Sequence, residues 1–210
     1  MTIQIAQEVV GGLSSPDKMP GKAYSISARR CITGAKLRKV KNSVCSFCYA
    51  LKGRYNFSNV QNAMEKRFNS LFRPDWVESM AFLINTQEKS GFFRWHDSGD
   101  LQSVEHLENI VKVCNLTPLV KHWLPTREYP IVANFLEKHG SFPDNLNVRL
   151  SSLLLDGPAP VAMAKRFGVT TSGVCKAGFF SCPAPFQNNK CGDCRACWNK
   201  SVENVNYKKH

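Results

Sequence analysis

Short apolar runs alternate with amphipathic segments along most of the chain of 210 residues. Runs rich in aromatic and β-branched residues are typical of strands, whereas apolar residues three and four positions apart are typical of helices. On this basis we predict strands at 23–30, 91–101, 121–128, 146–152 and 169–174, and helices at 59–72, 74–88, 103–115, 129–140 and 159–168. Residues 1–22 contain several Gly, Ser and Pro residues, and we expect them to be irregular.

Strands that alternate with helices at this spacing indicate parallel βαβ units. About five or six units fit before residue 175. We therefore expect an α/β fold, a partial parallel (βα) barrel over residues 1–174 that is open on one side. Residues 175–210 lose the alternation and are rich in cysteine, which predicts a loop-rich appendage that holds an iron–sulfur cluster or another metal. In parallel sheets ligands gather where the strands end.

Charge and cysteine content narrow the class of protein. The formal net charge is +12 and the chain has nine cysteines. The first residues do not resemble a signal peptide, and no apolar run is long enough to cross a membrane. We therefore expect a cytoplasmic protein with no membrane partner, in which cysteines bind metals rather than form disulfides. The basic surface makes nucleic acid a candidate partner.

Three cysteines follow the first predicted strand, at Cys31, Cys45 and Cys48, in the pattern C-x13-C-x2-C. A closed zinc site needs four ligands, whereas three thiolates leave one iron of a [4Fe–4S] cluster free to bind a small molecule. The alternative is a structural zinc or iron–sulfur site with a fourth ligand such as His96.

Two short motifs in this region resemble the radical S-adenosylmethionine (radical SAM) superfamily. Residues 45–48, Cys-Ser-Phe-Cys, resemble the C-x-φ-C end of its signature, in which φ, here Phe47, is aromatic. Ser98, Gly99 and Asp100 resemble its Gly-Gly-Glu segment, which binds the amino group of SAM, and they follow the second predicted strand. The spacing between the first two cysteines is longer than usual, so the chain would be an outlying member. The resemblance covers about residues 24–174.

The resemblance implies an enzyme that cleaves SAM reductively and abstracts hydrogen from a substrate. The cysteines at positions 31, 45 and 48 would ligate three irons, SAM would chelate the fourth, and a flavodoxin or ferredoxin would supply the electron. Arg149 and Ser151, at the end of a later strand, would also contact SAM. His96 is a candidate proton donor, and the alternative is a histidine buried in the core. Arg127 is a candidate for binding a carboxylate or phosphate, and the alternative is a surface pair with Glu128.

The second cysteine cluster reads C-x2-C-x2-C, from Cys191 through Cys194 to Cys197. This compact run is typical of ferredoxin-like cubane clusters. Cys182 is the favoured fourth ligand because Pro183 and Pro185, just after it, suit a rigid ligand loop, and Cys175 is its rival. We expect a second [4Fe–4S] cluster here, with a structural zinc as the alternative.

The chain also resembles a family of phage-encoded proteins with a CYA motif, an SGD turn, a T-R pair and a C-terminal CGxCxxCW. A phage origin would place the protein in the host cytoplasm. The sequence thus predicts a radical SAM enzyme whose unknown substrate is a nucleic acid or a related compound. The alternative function is that of a non-catalytic zinc or iron–sulfur protein that binds nucleic acid.

Overall fold

The structure is a computed structural model that describes residues 1–175 and 181–209. Its strands and α-helices, in chain order, are α1 (Ile3–Val10), β1 (Ala23–Tyr24), α2 (Ile32–Leu37), α3 (Ser58–Ser70), α4 (Trp76–Gln87), β2 (Phe92–Trp95), α5 (Val104–Leu116), β3 (Lys121–Thr126), α6 (Tyr129–His139), β4 (Leu146–Ser151), α7 (Val161–Phe167), β5 (Thr170–Cys175) and β6 (Asn204–Lys208).

All six strands form one parallel sheet, and their order in the sheet is their order in the chain. Each strand therefore pairs with the next one, as in a barrel, but β1 and β6 remain the two edges and the barrel is not closed. The predicted α/β class is confirmed. The predicted elements between 59 and 174 all appear, with shorter strands than expected.

The helices cover one face of the sheet, which we call the helix face. Phe93, Trp95, Leu124 and Val148 point from the strands into the apolar core that α4, α5 and α6 share. Cys114 is fully buried in the same core. The prediction that residues 1–22 are irregular holds for residues 11–22 but is wrong for α1, which packs against α4 and buries its apolar side.

The other face of the sheet, which we call the cysteine face, is covered by residues that follow β5. Alternation along the strands directs Arg94, Trp123, Arg149 and Tyr207 to this face. Cys197 and Trp198 pack against Trp123 and Val205 there. Residues 175–210 were expected to form an appendage, part of which lies outside the described residues, but residues 181–209 lie across the sheet and supply its sixth strand.

The described helices were also compared with the length and hydropathy of a membrane span. None of those in residues 1–175 and 181–209 is both long and apolar enough to cross a bilayer.

Candidate functional site

Cys31, Cys45 and Cys48, the first cysteine set, lie together beyond the carboxyl ends of β1, β2 and β3. All three thiols are half-buried. Burial raises the pKa of the Cys31 thiol, and the nearby charges of Asp100, Cys48 and Cys45 raise it further. Burial also raises the pKa of Cys45. The structure thus brings Asp100 and the three cysteines, which the sequence assigned to one site, close together.

The backbone at Gly34 lies close to two of these thiols. A Cβ atom at this position would lie 3.6 Å from the sulfur of Cys31 and 3.6 Å from the sulfur of Cys45. It would also lie 2.9 Å from the Cys31 Cβ atom, a separation that real Cβ atoms almost never show. The backbone of α2 thus approaches both sulfurs because this residue has no side chain.

A buried carboxylate on β3's exit loop fixes α2, which lies between the first and second cysteines. The backbone N–H and the hydroxyl of Thr33 donate hydrogen bonds to the Glu128 carboxylate, at 2.8 and 2.6 Å. The sequence left open a surface pair between Arg127 and Glu128. The structure instead buries Glu128, with 3% of its surface exposed, and gives its carboxylate to Thr33.

The SGD turn lies against the loop that carries Cys31. Gly99 has φ = +82°, a conformation that L side chains rarely adopt, and a Cβ atom there would come within 2.8 Å of the Ile26 carbonyl oxygen. The N–H of Ile26 donates to the Ser98 carbonyl oxygen at 3.2 Å. The turn therefore requires glycine, and it holds Asp100 beside the cysteines.

Asp100 is fixed by donors from two strand ends. The Thr126 hydroxyl and the Leu101 N–H donate to its Oδ1 atom, and the Arg127 N–H donates to its Oδ2 atom. Burial raises the pKa of this carboxyl to about 6, although these hydrogen bonds oppose the rise. The Arg127 side chain lies near Cys45, whose pKa it lowers, and its Nε–H donates to the Ser152 carbonyl oxygen.

His96 does not share a direction with Arg94, although strand alternation predicts that it should. The strand ends at Trp95, and His96 has φ = +56°. Its ring contacts the ring of His106 on α5, with a centroid distance of 5.3 Å, and burial lowers its pKa well below the usual value. The structure thus places His96 against the helices.

Asp97 takes the position that the sequence suggested for His96. Its backbone carbonyl accepts a hydrogen bond from the Tyr49 hydroxyl, and its Oδ2 atom lies 3.4 Å from the Tyr55 hydroxyl. Burial raises the pKa of Tyr49, and the charge of nearby Asp97 raises it further, whereas the charge of Arg94 opposes the rise. The positive φ at His96 causes this exchange, and nothing in the strand pattern signals it.

The remaining predicted SAM contacts are spread around the same edge of the sheet. Ser98 is buried and its hydroxyl has no partner among the described residues. Phe47 is 38% exposed, with the Lys209 ammonium 3.7 Å from its ring centroid. Ser151 is buried and its hydroxyl accepts from Ser172 at 3.1 Å.

Cys182, Cys191, Cys194 and Cys197, the C-terminal cysteine set, also lie together, on the cysteine face. Burial raises the pKa of Cys191, and the charges of Cys182 and Cys194 raise it further. Burial likewise raises the pKa of Cys197, to about 11, with a smaller contribution from Cys182. The rival ligand, Cys175, directs its thiol to the Tyr207 carbonyl oxygen at 3.5 Å.

Arg149 does not reach the first cysteine set. It is fully buried on the cysteine face, where its guanidinium donates to main-chain carbonyl oxygens in the C-terminal segment. The acceptors are Thr171, Ala196, Cys197, Asn199 and Val202, at 2.7 to 3.1 Å. Arg149, which was predicted to contact SAM, thus lies beside the C-terminal set.

Across residues 1–175 and 181–209, no three His, Cys, Asp or Glu side chains converge closely enough to hold one metal ion. Thiolates that bind a cubane attach to separate irons and need not converge on one point. The half-buried thiols of the first set, two of which lie close to the backbone of Gly34, fit such a group.

Several residues near the site were not predicted as functional. Arg94, Asp97 and Tyr55 lie between the two cysteine sets, and Glu128 anchors the first one. Arg94 had a recognisable signal, since it is a charged residue within an otherwise apolar and aromatic strand. Tyr207 had none, because β6 was not predicted.

The chain was compared with protein families, curated proteins and solved structures. No curated protein and no solved structure matches it. The family model described as gene product 88 (GP88) matches residues 10–200, which is most of the chain. The match fits the phage-encoded family that the CYA, SGD and CGxCxxCW motifs resemble, and the chain belongs to the gene product 88 family.

Proposed function

We propose that the protein is an iron–sulfur enzyme of the radical SAM type. One observation carries the proposal: among the described residues, three cysteines lie beside the SGD turn, where neighbouring parallel strands end. Ligands gather at this edge in parallel α/β sheets. A set of three thiolates would hold a [4Fe–4S] cluster with one iron open to a small molecule.

The first cysteine set would hold that cluster, and SAM would complete it. When both are bound, they would supply reductive cleavage of SAM and a radical able to abstract hydrogen from a substrate. The chain's own part is to hold and shield them. Gly34 lets the backbone of α2 approach the sulfurs of Cys31 and Cys45, and Glu128 fixes this helix.

The SGD turn would bind the amino acid part of SAM. Asp100 is buried, which makes its negative charge costly, and a cationic amino group beside it would offset that cost. Ser98 adds a buried hydroxyl that has no partner within the described residues. Phe47, Gly99 and Ser151 stay in the proposed cofactor site as neighbours at this edge. Arg127, near Cys45, would hold an anionic group of SAM or of the substrate.

The C-terminal cysteine set would hold a second [4Fe–4S] cluster, with zinc as the alternative. This set packs against the same sheet that carries the first cysteine set at its edge, so both clusters would belong to one domain. Cys182 is favoured over Cys175 because it lies near Cys191, Cys194 and Cys197. Cys182→Ser should lower the metal content at this set, whereas Cys175→Ser should leave it unchanged.

The proposal is tested on protein purified without oxygen. Iron, sulfide and zinc are counted per chain, and EPR spectra of the reduced protein are recorded with and without SAM. We expect two cubanes and a signal that SAM perturbs, and Cys48→Ala should abolish only that signal. Cys114→Ala is the control, since this thiol lies in the helix core outside both sets. Iron spectra that ignore SAM would contradict the proposal.

A second candidate function is binding of nucleic acid without catalysis. It is favoured by the net charge of +12 and by exposed aromatic residues beside the first set, Phe47, Tyr49 and Phe57. Aromatic rings within a basic surface suit single-stranded nucleic acid, whose bases stack on them. Binding of a labelled oligonucleotide that weakens with salt, by a protein that does not cleave SAM, would favour this function.

A further inference from the structure

Two arginines lie on the cysteine face beside the C-terminal set, on neighbouring parts of the sheet. Arg94 projects from β2 and Arg149 from β4. Neither forms an ion pair with a carboxylate in the part of the chain that the structure describes. Asp97 lies within electrostatic range of Arg94, whereas Arg149 is fully buried and has no carboxylate beside it among the described residues. A buried guanidinium without an anion is costly, because its charge has lost water and gained no counter-charge.

Arg149 donates hydrogen bonds to the backbone around Cys197, at the end of the C-terminal set. Its Nε–H donates to the Cys197 carbonyl oxygen at 3.1 Å, and its terminal nitrogens donate to the neighbouring carbonyls. These bonds satisfy its hydrogens but supply no negative charge. The Cys197 thiol is close enough for the charge of Arg149 to oppose the rise in its pKa.

Arg94 lies on the other side of the set. Its guanidinium carbon is 4.4 Å from the centroid of the Trp123 ring, and its Nη1 atom contacts the sulfur of Met19 at 3.6 Å. Its buried Nε–H has no acceptor among the described residues. The thiols of Cys191 and Cys197 are both within electrostatic range of this charge.

We propose that Arg94 and Arg149 are the counter-charges of a doubly negative metal–thiolate centre in the C-terminal cysteine set. This rests on the proposed metal site. Four thiolates around a zinc ion, or around an oxidised cubane, leave two negative charges, which two guanidinium groups balance. Arg94 also contacts Tyr49, the residue after Cys48, so its guanidinium lies near both cysteine sets. The arginines thus position and tune the centre without ligating it.

The test uses the full chain with Cys31, Cys45 and Cys48 replaced by alanine, so that only the C-terminal set is loaded. Arg94→Gln removes the charge, Arg94→Lys keeps it, and Arg73→Gln removes an exposed charge elsewhere. Reduction adds negative charge to a cubane. Arg94→Gln should therefore disfavour the reduced form by about tenfold, which lowers the potential by about 59 mV for one electron. Arg94→Lys should bring the potential most of the way back to that of the parent, and Arg73→Gln should leave the potential unchanged.

If the set holds zinc, the same variants are compared by competition with a chelator. Arg94→Gln should then weaken zinc binding by about tenfold, and Arg94→Lys should recover most of it. Equal potentials or equal zinc affinities in Arg94→Gln and the parent would overturn the inference while leaving the metal site in place. A parent whose metal content does not change with Cys191→Ala would overturn the metal site and the inference together.

Discussion

The hydroxyl of Thr126 donates a 2.6 Å hydrogen bond to Oδ1 of Asp100, and this bond joins the end of β3 to the turn after β2. Both residues are buried. The same carboxylate accepts the Arg127 N–H on its other oxygen. A single acidic side chain thus fixes two loops that border the first cysteine set, and its removal should disturb both.

Thr126→Val should therefore destabilise the protein, because it leaves a buried carboxylate short of a donor. Hydrogen bonds to charged groups contribute about 1.5–3 kcal/mol, and we expect a loss in that range in the free energy of unfolding. Urea denaturation measures it. Thr126→Ser keeps the hydroxyl and should lose much less. Equal losses in the two variants would show that the methyl group, rather than the bond, matters.

Glycine at position 99 should be far more sensitive than glycine at position 140. Both have φ near +80°, but a Cβ atom at Gly99 would meet Ile26, whereas nothing lies within 4 Å at Gly140. Gly140→Ala should cost about 1 kcal/mol from backbone strain alone. Gly99→Ala should cost at least about 2 kcal/mol more, since the Ile26 backbone must move. Similar thermal midpoints would contradict the close approach.

Gly34→Ala should lower the iron content of the first cysteine set. The added methyl group would lie beside the sulfurs of Cys31 and Cys45, in the space proposed for the cluster. Iron per chain and the SAM-sensitive EPR signal measure the effect. Gly53→Ala is the control, because it also follows the cysteines but has open space around it. Normal iron loading in Gly34→Ala would argue against a cluster at this place.

Arg149→Met should release the C-terminal segment from the sheet. The change leaves several carbonyl oxygens without donors, and each buried unsatisfied group costs about 1–3 kcal/mol. We expect a loss of at least about 3 kcal/mol in the free energy of unfolding. Arg73→Met, at an exposed ion pair, should cost little. Faster proteolysis within residues 181–203 of the Arg149 variant would locate the loss.

Stability should fall as the solution becomes acidic. Burial lowers the pKa of both His106 and His122 to about 3, from a usual value of 6.5. Below about pH 6.5 the unfolded chain therefore binds protons at these histidines, whereas the folded chain does not bind them until about pH 3. The contribution of the neutral histidines to the free energy of unfolding is lost across that interval. Urea midpoints at about pH 7.5 and about pH 5.5 measure the fall.

His122→Gln should make this fall smaller, because glutamine has no proton to gain and can still contact Thr117, which lies 2.9 Å from the His122 ring. His139→Gln replaces a partly exposed histidine and serves as the control. An unchanged difference between the two pH values in His122→Gln would contradict the assignment of a buried neutral imidazole.

The sequence determined the units of this fold and the groups of cysteines. Periodicity placed every strand from β2 to β5, because each carries enough apolar or β-branched residues to be recognised locally. It did not find α1, α2 or β6. The helix α1 is stable because α3 and α4 cover it, and β6 forms because the edge of β5 pairs with it. Both depend on partners distant in the chain.

The candidate site divides in the same way. Cysteine spacing and strand ends predicted the first set with Asp100, since parallel strands bring their carboxyl ends to one edge. Only the tertiary structure decided that Arg149 serves the C-terminal set, that His96 turns toward α5 and that Asp97 replaces it. These outcomes depend on one residue with a positive φ and on carbonyl groups about fifty positions away, and no local pattern records either.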